Sequence, residues 1–158
     1  MNAVHASVSQ EVNVAVVIVV KFVKIKFVKM YSQKIIKRFK NPKFAGEIKN
    51  PDAIGQVGNL KCGDVMKIYL KVDEKNKKLK KIKFKTYGCI AAIAASDAMC
   101  ELAKGKTLKQ AEKIKYNDII KKMGGDVPKI KIHCSVLGTE ALREAIKNYN
   151  EKDGKSKR

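Results

Sequence analysis

The amino-acid sequence predicts an α+β fold in which a small three-stranded antiparallel sheet packs with helices on one face. The first observation is a pair of alternating segments, Asp64 to Val72 and Leu79 to Tyr87, separated by the polar stretch Asp73 to Lys78. This arrangement is typical of a β-hairpin. The second observation is that helical patterns follow the hairpin, and strands followed by helices on one face define this class of fold.

The elements before the hairpin are one helix and one short strand. Tyr31, Ile35 and Phe39 recur at helical spacing, and Asn41-Pro42 ends this amphipathic helix. Glycine and proline residues then mark a loop, which leads into a short strand near Ala53 to Val57. That strand is the third member of the predicted sheet.

The segments after the hairpin are predicted to be helical. The alanine-rich stretch Ile90 to Lys104 contains neither glycine nor proline and ends at Gly105. Two short helices follow, at Thr107 to Ile114 and at Asn117 to Lys122, and residues 124–128 then break the pattern. The last helix carries an apolar stripe, which consists of Ala141, Leu142, Ala145, Ile146 and Tyr149.

The two ends of the chain differ from the globular pattern, which spans residues 30–149. Residues 1–29 form an N-terminal extension that is rich in β-branched residues, and no role is assigned to it. Its apolar run, Val12 to Val20, is far shorter than the roughly 20 residues that span a bilayer, so no membrane partner is expected. Residues 150–158 are predicted to form a disordered polar tail.

The charge of the chain is strongly positive but does not indicate nucleic acid. The 158 residues carry a formal net charge of +20, almost entirely from lysine, with arginine only at Arg38, Arg143 and Arg158. Readout of base edges depends on arginine. Lysines that alternate with Ile82 and Phe84 are instead typical of a solvated sheet face that attracts acidic partners. A nucleic-acid partner is therefore not expected.

The cysteines indicate a reducing compartment. The four cysteines are widely and unevenly spaced, and the positive residues of the first 29 follow the apolar run, whereas those of a secretory signal precede it. Thiols in such a chain serve metals or sulfur chemistry more often than disulfides. We therefore expect a cytoplasmic protein.

Hairpin arithmetic brings two of the cysteines together. If the hairpin folds back near Lys75 and Asn76, paired positions sum to about 151, so Cys62 and Cys89 lie opposite one another just beyond the strands. Their sulfur atoms are then within reach of one metal centre. Cys89 also begins the alanine-rich helix, whose N-terminal dipole favours a thiolate.

Three further residues complete the candidate site. Tetrahedral iron or zinc takes four soft or borderline ligands. Cys62, Cys89 and Cys134 supply three of them, and either His133 or Asp64 supplies the fourth. Two other residues are set aside: Cys100 is predicted to be a buried core residue, and His5 belongs to the extension without a role.

At these residues the sequence resembles the IscU/NifU family of iron–sulfur scaffold proteins, from Met30 to about Tyr149. The resemblance rests on Tyr31-Ser32, Asn41-Pro42, Cys62-Gly63-Asp64-Val65-Met66, Lys85-Thr86-Tyr87-Gly88-Cys89 and Lys131-Ile132-His133-Cys134-Ser135. It implies an IscU/SufE-like fold that assembles a [2Fe–2S] cluster from iron and from the sulfur of a cysteine desulfurase or another sulfide source. The cluster then passes to apo iron–sulfur proteins, so the resemblance implies a scaffold and carrier, not an enzyme.

The resemblance also implies roles for the site residues. Cys62, Cys89 and Cys134 would be cluster ligands, with Asp64 and His133 as alternative ligands and zinc possible in the apo form. Cys134 would be the persulfide acceptor.

Lys129 and Lys131 are expected to favour the thiolate of Cys134. The same two lysines belong to Val127-Pro128-Lys129-Ile130-Lys131, which replaces the Leu-Pro-Pro-Val-Lys segment that an Hsp70-type chaperone reads in many family members. A partnership with such a chaperone is therefore doubtful.

Two other functions fit the same ligands. The first is a zinc-bound sulfur-transfer protein that relays persulfide as a sulfurtransferase, because these residues also hold zinc well. The second is a zinc-stabilised nucleic-acid binder, which the lysine-rich composition does not favour.

Overall fold

The computed structural model describes residues 31–59 and 63–156. Helix α1 spans Gln33–Lys40, and the hydroxyl of its N-cap, Ser32, accepts a hydrogen bond from the Ile35 amide at 3.5 Å. The helix ends at Asn41, before the proline, as predicted. The predicted properties of the extension, including those of His5, lie outside the described residues.

A three-stranded antiparallel sheet forms the centre of the described part. Its strands are β1 (Ala53–Asn59), β2 (Asp64–Asp73) and β3 (Lys78–Tyr87), and β2 lies in the middle. The predicted hairpin and the predicted α+β class are confirmed. Strand β1 pairs with β2 until Asn59 meets Asp64, which places the β1–β2 connection beside the start of β2.

The register of the hairpin differs from the prediction by one residue over most of its length. Val72 pairs with Leu79, as predicted, but Lys71 pairs with Lys81 and Val65 pairs with Tyr87. A β-bulge causes the difference, because β3 contains one residue more than β2 between these pairs. The effect of a bulge on register cannot be read from alternation alone.

Four helices follow the sheet within the described residues. They are α2 (Ile90–Ala103), α3 (Leu108–Glu112), α4 (Tyr116–Met123) and α5 (Ile132–Ser156), and a 3-10 turn at Lys129–Lys131 precedes the last of them. All four overlap the predicted helices, but α5 begins at Ile132, nine residues before the predicted stripe that starts at Ala141. Not one of the described helices is both long and apolar enough to cross a bilayer.

Helix α5 corrects the prediction of a disordered tail for residues 150–158. The helix continues through residue 156, and residues 157–158 lie outside the described part. The physical reason is a tertiary contact with the hairpin turn. The ammonium of Lys77 donates to Tyr149 Oη at 3.1 Å and pairs with Asp153 Oδ2 at 3.2 Å, which holds the polar end of α5 in place.

The described helices pack against one face of the sheet. Alternate residues of β2, including Met66, Ile68 and Leu70, point into a core shared with the alanine face of α2. Helix α5 lies so close to β1 that a side chain at Gly55 would clash with the backbone at Ala141 and Ala145. Because α2 and α5 both pack against this sheet, their N-terminal ends are fixed relative to the start of β2.

Candidate metal and sulfur site

Three separate elements place the candidate ligands at one end of the sheet. Asp64 is the first residue of β2, and Cys89 is the N-cap of α2 directly after β3. His133 and Cys134 lie in the first turn of α5. The sequence positions 64, 89 and 134 are far apart, and packing of both helices on the sheet brings them together.

Cys134 Sγ lies at the centre of this cluster. It is 3.7 Å from Cys89 Sγ, 3.6 Å from Asp64 Oδ2 and 3.5 Å from His133 Nε2. The distance between His133 Nε2 and Asp64 Oδ2 is 3.9 Å. The ligand atoms of Asp64, His133 and Cys134 all lie within 4.8 Å of one another, and these three residues form a possible metal site. Two thiols, an imidazole and a carboxylate are suitable ligands for iron or zinc.

Cys62 lies outside the described residues, and its role as a ligand stays a prediction. The other four predicted site residues come together as described above. Cys100 lies away from them, fully buried in α2, where burial raises the pKa of its thiol well above the ordinary value. This burial agrees with its prediction as a core residue.

The two thiols of the cluster differ in exposure and in charge. Cys134 is fully buried, whereas Cys89 is half-buried. A hydrogen bond from Cys134 is the main cause that lowers the pKa of Cys89 to about 6, and the α2 backbone amide at Ala92 and the charge of Lys131 lower it further. Donation to Cys89, burial and the nearby Asp64 carboxylate raise the pKa of Cys134.

The thiolate of this pair is therefore Cys89, which corrects the expectation that Lys129 and Lys131 favour a thiolate at Cys134. Two sulfur atoms 3.7 Å apart do not both ionise readily. The half-buried sulfur at a helix N-terminus carries the charge, and the fully buried sulfur keeps the proton.

Two further residues shape the site without appearing among the predicted ligands. Gly88 lies so close to the Asp64 carboxylate that a Cβ atom at position 88 would be 2.7 Å from Asp64 Oδ1. Tyr31 is buried, and burial, together with the negative charge of the Cys89–Cys134 pair and of Asp64, raises its pKa to about 12, so it stays neutral. The sequence shows a glycine between β3 and Cys89, but only the folded chain reveals that this glycine contacts the Asp64 carboxylate.

Fold and site together define a class of protein: a small α+β domain that gathers thiol, imidazole and carboxylate groups at one end of its sheet. The sequence model of the NifU-like N terminal domain matches residues 30–156. The chain belongs to this family.

Named relatives support this membership. The iron–sulfur cluster assembly scaffold protein IscU 1 of Archaeoglobus fulgidus is 48% identical over 126 residues, which cover 80% of this chain and 80% of the relative. The IscU scaffold of Azotobacter vinelandii is 42% identical, with coverage of 78% and 97%.

Solved structures share the fold. A candidate SUF-system scaffold protein from Fervidobacterium islandicum AW-1 has a TM-score of 0.63 at 27% identity, covering 75% of this chain and 98% of that one. The N-terminal domain of a NifU-like protein from Brucella abortus has the same TM-score at 19% identity, covering 80% of this chain and 98% of its own, and supports the fold alone.

Proposed function

We propose that this protein is a scaffold on which [2Fe–2S] clusters are assembled and then passed to apo-proteins. The observation that carries the proposal is the convergence of Asp64, Cys89, His133 and Cys134 on one small volume. Relatives that share this domain are named as iron–sulfur cluster assembly scaffolds. The cluster is cargo, so the protein acts as a carrier rather than an enzyme.

The donor set explains how a cluster could be both held and released. Cys62, Cys89 and Cys134 would hold it through thiolates, and either Asp64 or His133 would provide the remaining ligand. The set contains five candidate donor groups, whereas a [2Fe–2S] cluster takes four protein ligands. A carboxylate oxygen is a harder ligand than a thiolate, so an iron bound through it exchanges more easily with an incoming thiol.

Cys134 is the proposed acceptor of sulfur. Its thiolate would attack the outer sulfur of a donor persulfide, forming a new S–S bond while the donor leaves as a thiolate; no external oxidant is needed. Cys89 Sγ, at 3.7 Å, can take the proton that Cys134 loses. Cys89 is a second candidate acceptor, favoured by its greater exposure and lower pKa.

Persulfide trapping separates the two acceptors. With a cysteine desulfurase and its substrate, we expect the first label on Cys134 and its loss in Cys134→Ser. Label on Cys89 in the wild-type chain, unchanged by Cys134→Ser, would assign the role to Cys89 instead.

Anaerobic reconstitution with iron and sulfide tests the proposed function. A reddish protein with the absorption spectrum of a [2Fe–2S] cluster, transferable to an apo-protein, is the expected result. Cys89→Ser and Cys134→Ser should lose the cluster, whereas the matched control Cys100→Ala should keep it. A colourless protein that retains zinc and relays persulfide would overturn the scaffold proposal in favour of a zinc-bound sulfur-transfer protein.

The partners and the compartment follow from the same chemistry. Assembly needs a sulfur donor, either a cysteine desulfurase or a source of sulfide, and acceptors that are apo iron–sulfur proteins. Free thiols at Cys89, Cys100 and Cys134 suit the reducing cytoplasm, which is the compartment we propose. An Hsp70-type chaperone is not part of the proposal.

A further inference from the structure

The outer face of the sheet is rich in lysine. Alternate residues of β2 and β3 point away from the helices, because their neighbours point into the core. We call this surface the lysine face, and its members are Lys67, Lys71, Lys81, Lys83 and Lys85. Tyr69 lies at its centre and is buried, and the Lys67 ammonium is 5.5 Å from the centre of its ring.

The register places lysines directly opposite one another on this face. Lys67 pairs with Lys85, and Lys71 pairs with Lys81. Like charges at facing positions destabilise a sheet. Of the two pairs, Lys67–Lys85 lies nearer the candidate metal site, because Lys67 is three residues from Asp64 along β2, whereas Lys71–Lys81 lies toward the hairpin turn.

Carboxylates already neutralise part of the lysine face. Lys85 Nζ lies 2.8 Å from Glu47 Oε2, and Lys71 pairs with Asp52. Within residues 31–59 and 63–156, neither Lys67 nor Lys81 forms an ion pair with a carboxylate. The face thus binds carboxylates from its own chain and has positive charge left over for others.

An exposed apolar pair joins the lysine face to the candidate metal site. Val65 and Tyr87 face each other across β2 and β3, and they are 38% and 81% exposed. Val65 directly follows Asp64, and Tyr87 precedes Gly88-Cys89. Exposed aromatic residues with an apolar neighbour are typical anchors of protein interfaces.

We propose that the lysine face docks an acidic acceptor of iron–sulfur clusters, with the apolar contact of the interface at Val65 and Tyr87. This inference rests on the proposed scaffold function. An apo-acceptor presents several thiolates to the scaffold, and the positive lysine face would steer an acceptor with an acidic surface and raise the association rate.

A protein fits this face better than a nucleic acid. Arg38 and Arg143 are the arginines of the described part, and neither lies on the sheet: Arg38 binds Asp97 and Glu101, and Arg143 donates to the Glu112 carbonyl. Base readout uses arginine. The ion pairs of Lys85 with Glu47 and of Lys71 with Asp52 show that lysines of this face bind carboxylates.

Charge reversal on the lysine face tests the proposal. The variant Lys67→Glu/Lys81→Glu changes the two lysines without an ion pair. The matched control Lys109→Glu/Lys147→Glu makes the same change of net charge at exposed positions on α3 and α5. The probe is the apo form of a ferredoxin with negative net charge, titrated at low and high salt against the cluster-free protein.

The expected result is binding about tenfold weaker for the lysine-face variant, with a flatter salt dependence, and a change below about twofold for the control. Tyr87→Ser should raise the dissociation rate with little effect on salt dependence. Equal losses in both charge variants would overturn the proposal. So would loss of oligonucleotide binding or of persulfide transfer from a desulfurase without loss of ferredoxin binding.

The same proteins separate this inference from the proposed function. Cluster assembly by reconstitution should be unchanged in both charge variants, because neither alters a predicted ligand. If the wild-type protein assembles no cluster, the scaffold function fails, whereas the binding measurement on cluster-free protein still decides whether the lysine face docks an acidic protein.

Discussion

Asp64 is buried, and its carboxylate lies 3.6 Å from Cys134 Sγ and 3.9 Å from His133 Nε2. At the scale of single residues, this position makes Asp64 the group that can compete with imidazole for a metal. The Gly88 backbone packs against the same carboxylate, so the orientation of Asp64 depends on the absence of a side chain at position 88.

Asp64→Ala is expected to lengthen the lifetime of the cluster and to slow its donation by about tenfold. Without the carboxylate oxygen, a softer and less exchangeable ligand set that includes His133 remains. The measurement is transfer to an apo-ferredoxin, with thermal unfolding of the apo-protein in parallel. Unchanged transfer together with a clearly lowered Tm would show that Asp64 serves folding only.

Gly88→Ala should change cluster lifetime in the same direction as Asp64→Ala. The new methyl group would lie 2.7 Å from Asp64 Oδ1 and 3.1 Å from the Ala92 side chain, so the carboxylate must move. The control is Gly58→Ala, whose methyl group would meet Asp64 O and Val65 at an ordinary 3.7 Å. The double variant Gly88→Ala/Asp64→Ala should have the same cluster lifetime as Asp64→Ala alone. Additive effects on the lifetime would show that Gly88 does not act through the Asp64 carboxylate.

The thiol pair predicts a pH dependence. The rate of Cys89 alkylation in the metal-free protein should be half-maximal near pH 6 and should fall as pH decreases, because only the thiolate reacts. Cys134→Ala should move the midpoint upward, since it removes the hydrogen bond that is the main cause of the lowered pKa. Mass spectrometry of the alkylated peptides gives the rate of Cys89 alkylation in the wild-type protein and in the variant. The same midpoint in both would show that the hydrogen bond from Cys134 does not lower the pKa of Cys89.

At the scale of elements, an ion-pair network fixes α1 against α2. Arg38 Nη1 lies 2.6 Å from Asp97 Oδ2, and Asp97 Oδ1 accepts from the Phe44 amide at 3.0 Å. The Asp97 side chain is almost fully buried, so it depends on these partners for its charge. The contact holds the N-terminal helix on the element that begins with Cys89.

Arg38→Met is expected to lower the free energy of unfolding by about 3 kcal/mol, because it leaves a buried carboxylate without its cation. The matched control is Lys122→Met, which removes the more exposed ion pair to Glu101 and should cost under about 1 kcal/mol. Denaturant unfolding of the metal-free proteins measures both. Similar losses of unfolding free energy in the two variants would show that the Arg38–Asp97 pair stabilises the fold no more than an exposed ion pair does.

At the scale of the whole molecule, the match to the family covers residues 30–156 and leaves out the N-terminal extension. Among the described residues, helix α1 is the first element that contributes to the core, through Ile35 and Ile36. At the other end, the Lys77 contacts make the last turns of α5 part of the folded unit.

Removal of residues 1–29 should therefore leave folding and cluster assembly unchanged. The control is a chain that begins after residue 40, which also lacks α1 and Arg38 and should lose stability and cluster yield together. Reconstitution yield and Tm are measured on all three proteins. Loss of cluster assembly in the shorter deletion would assign a role to the N-terminal extension.

The sequence by itself determined the elements and most of the site membership. Alternation predicts β2 and β3, alanine content predicts α2, and Cys89 at the junction follows from both, since these signals are local and periodic. The motifs around Asp64, Cys89, His133 and Cys134 carry the family resemblance for the same reason. Each of these features is contained in a short stretch of chain.

Tertiary structure alone decided the relations between these stretches. The bulge between Lys71 and Val72 set the register, and the Lys77 contacts extended α5, because both depend on how distant segments meet. The hydrogen bond between the two thiols, together with the burial of Cys134, decided that Cys134 keeps its proton while Cys89 ionises, and close packing placed Gly88 against Asp64. Burial and contact arise only when residues far apart in sequence pack together, so no local pattern encodes them.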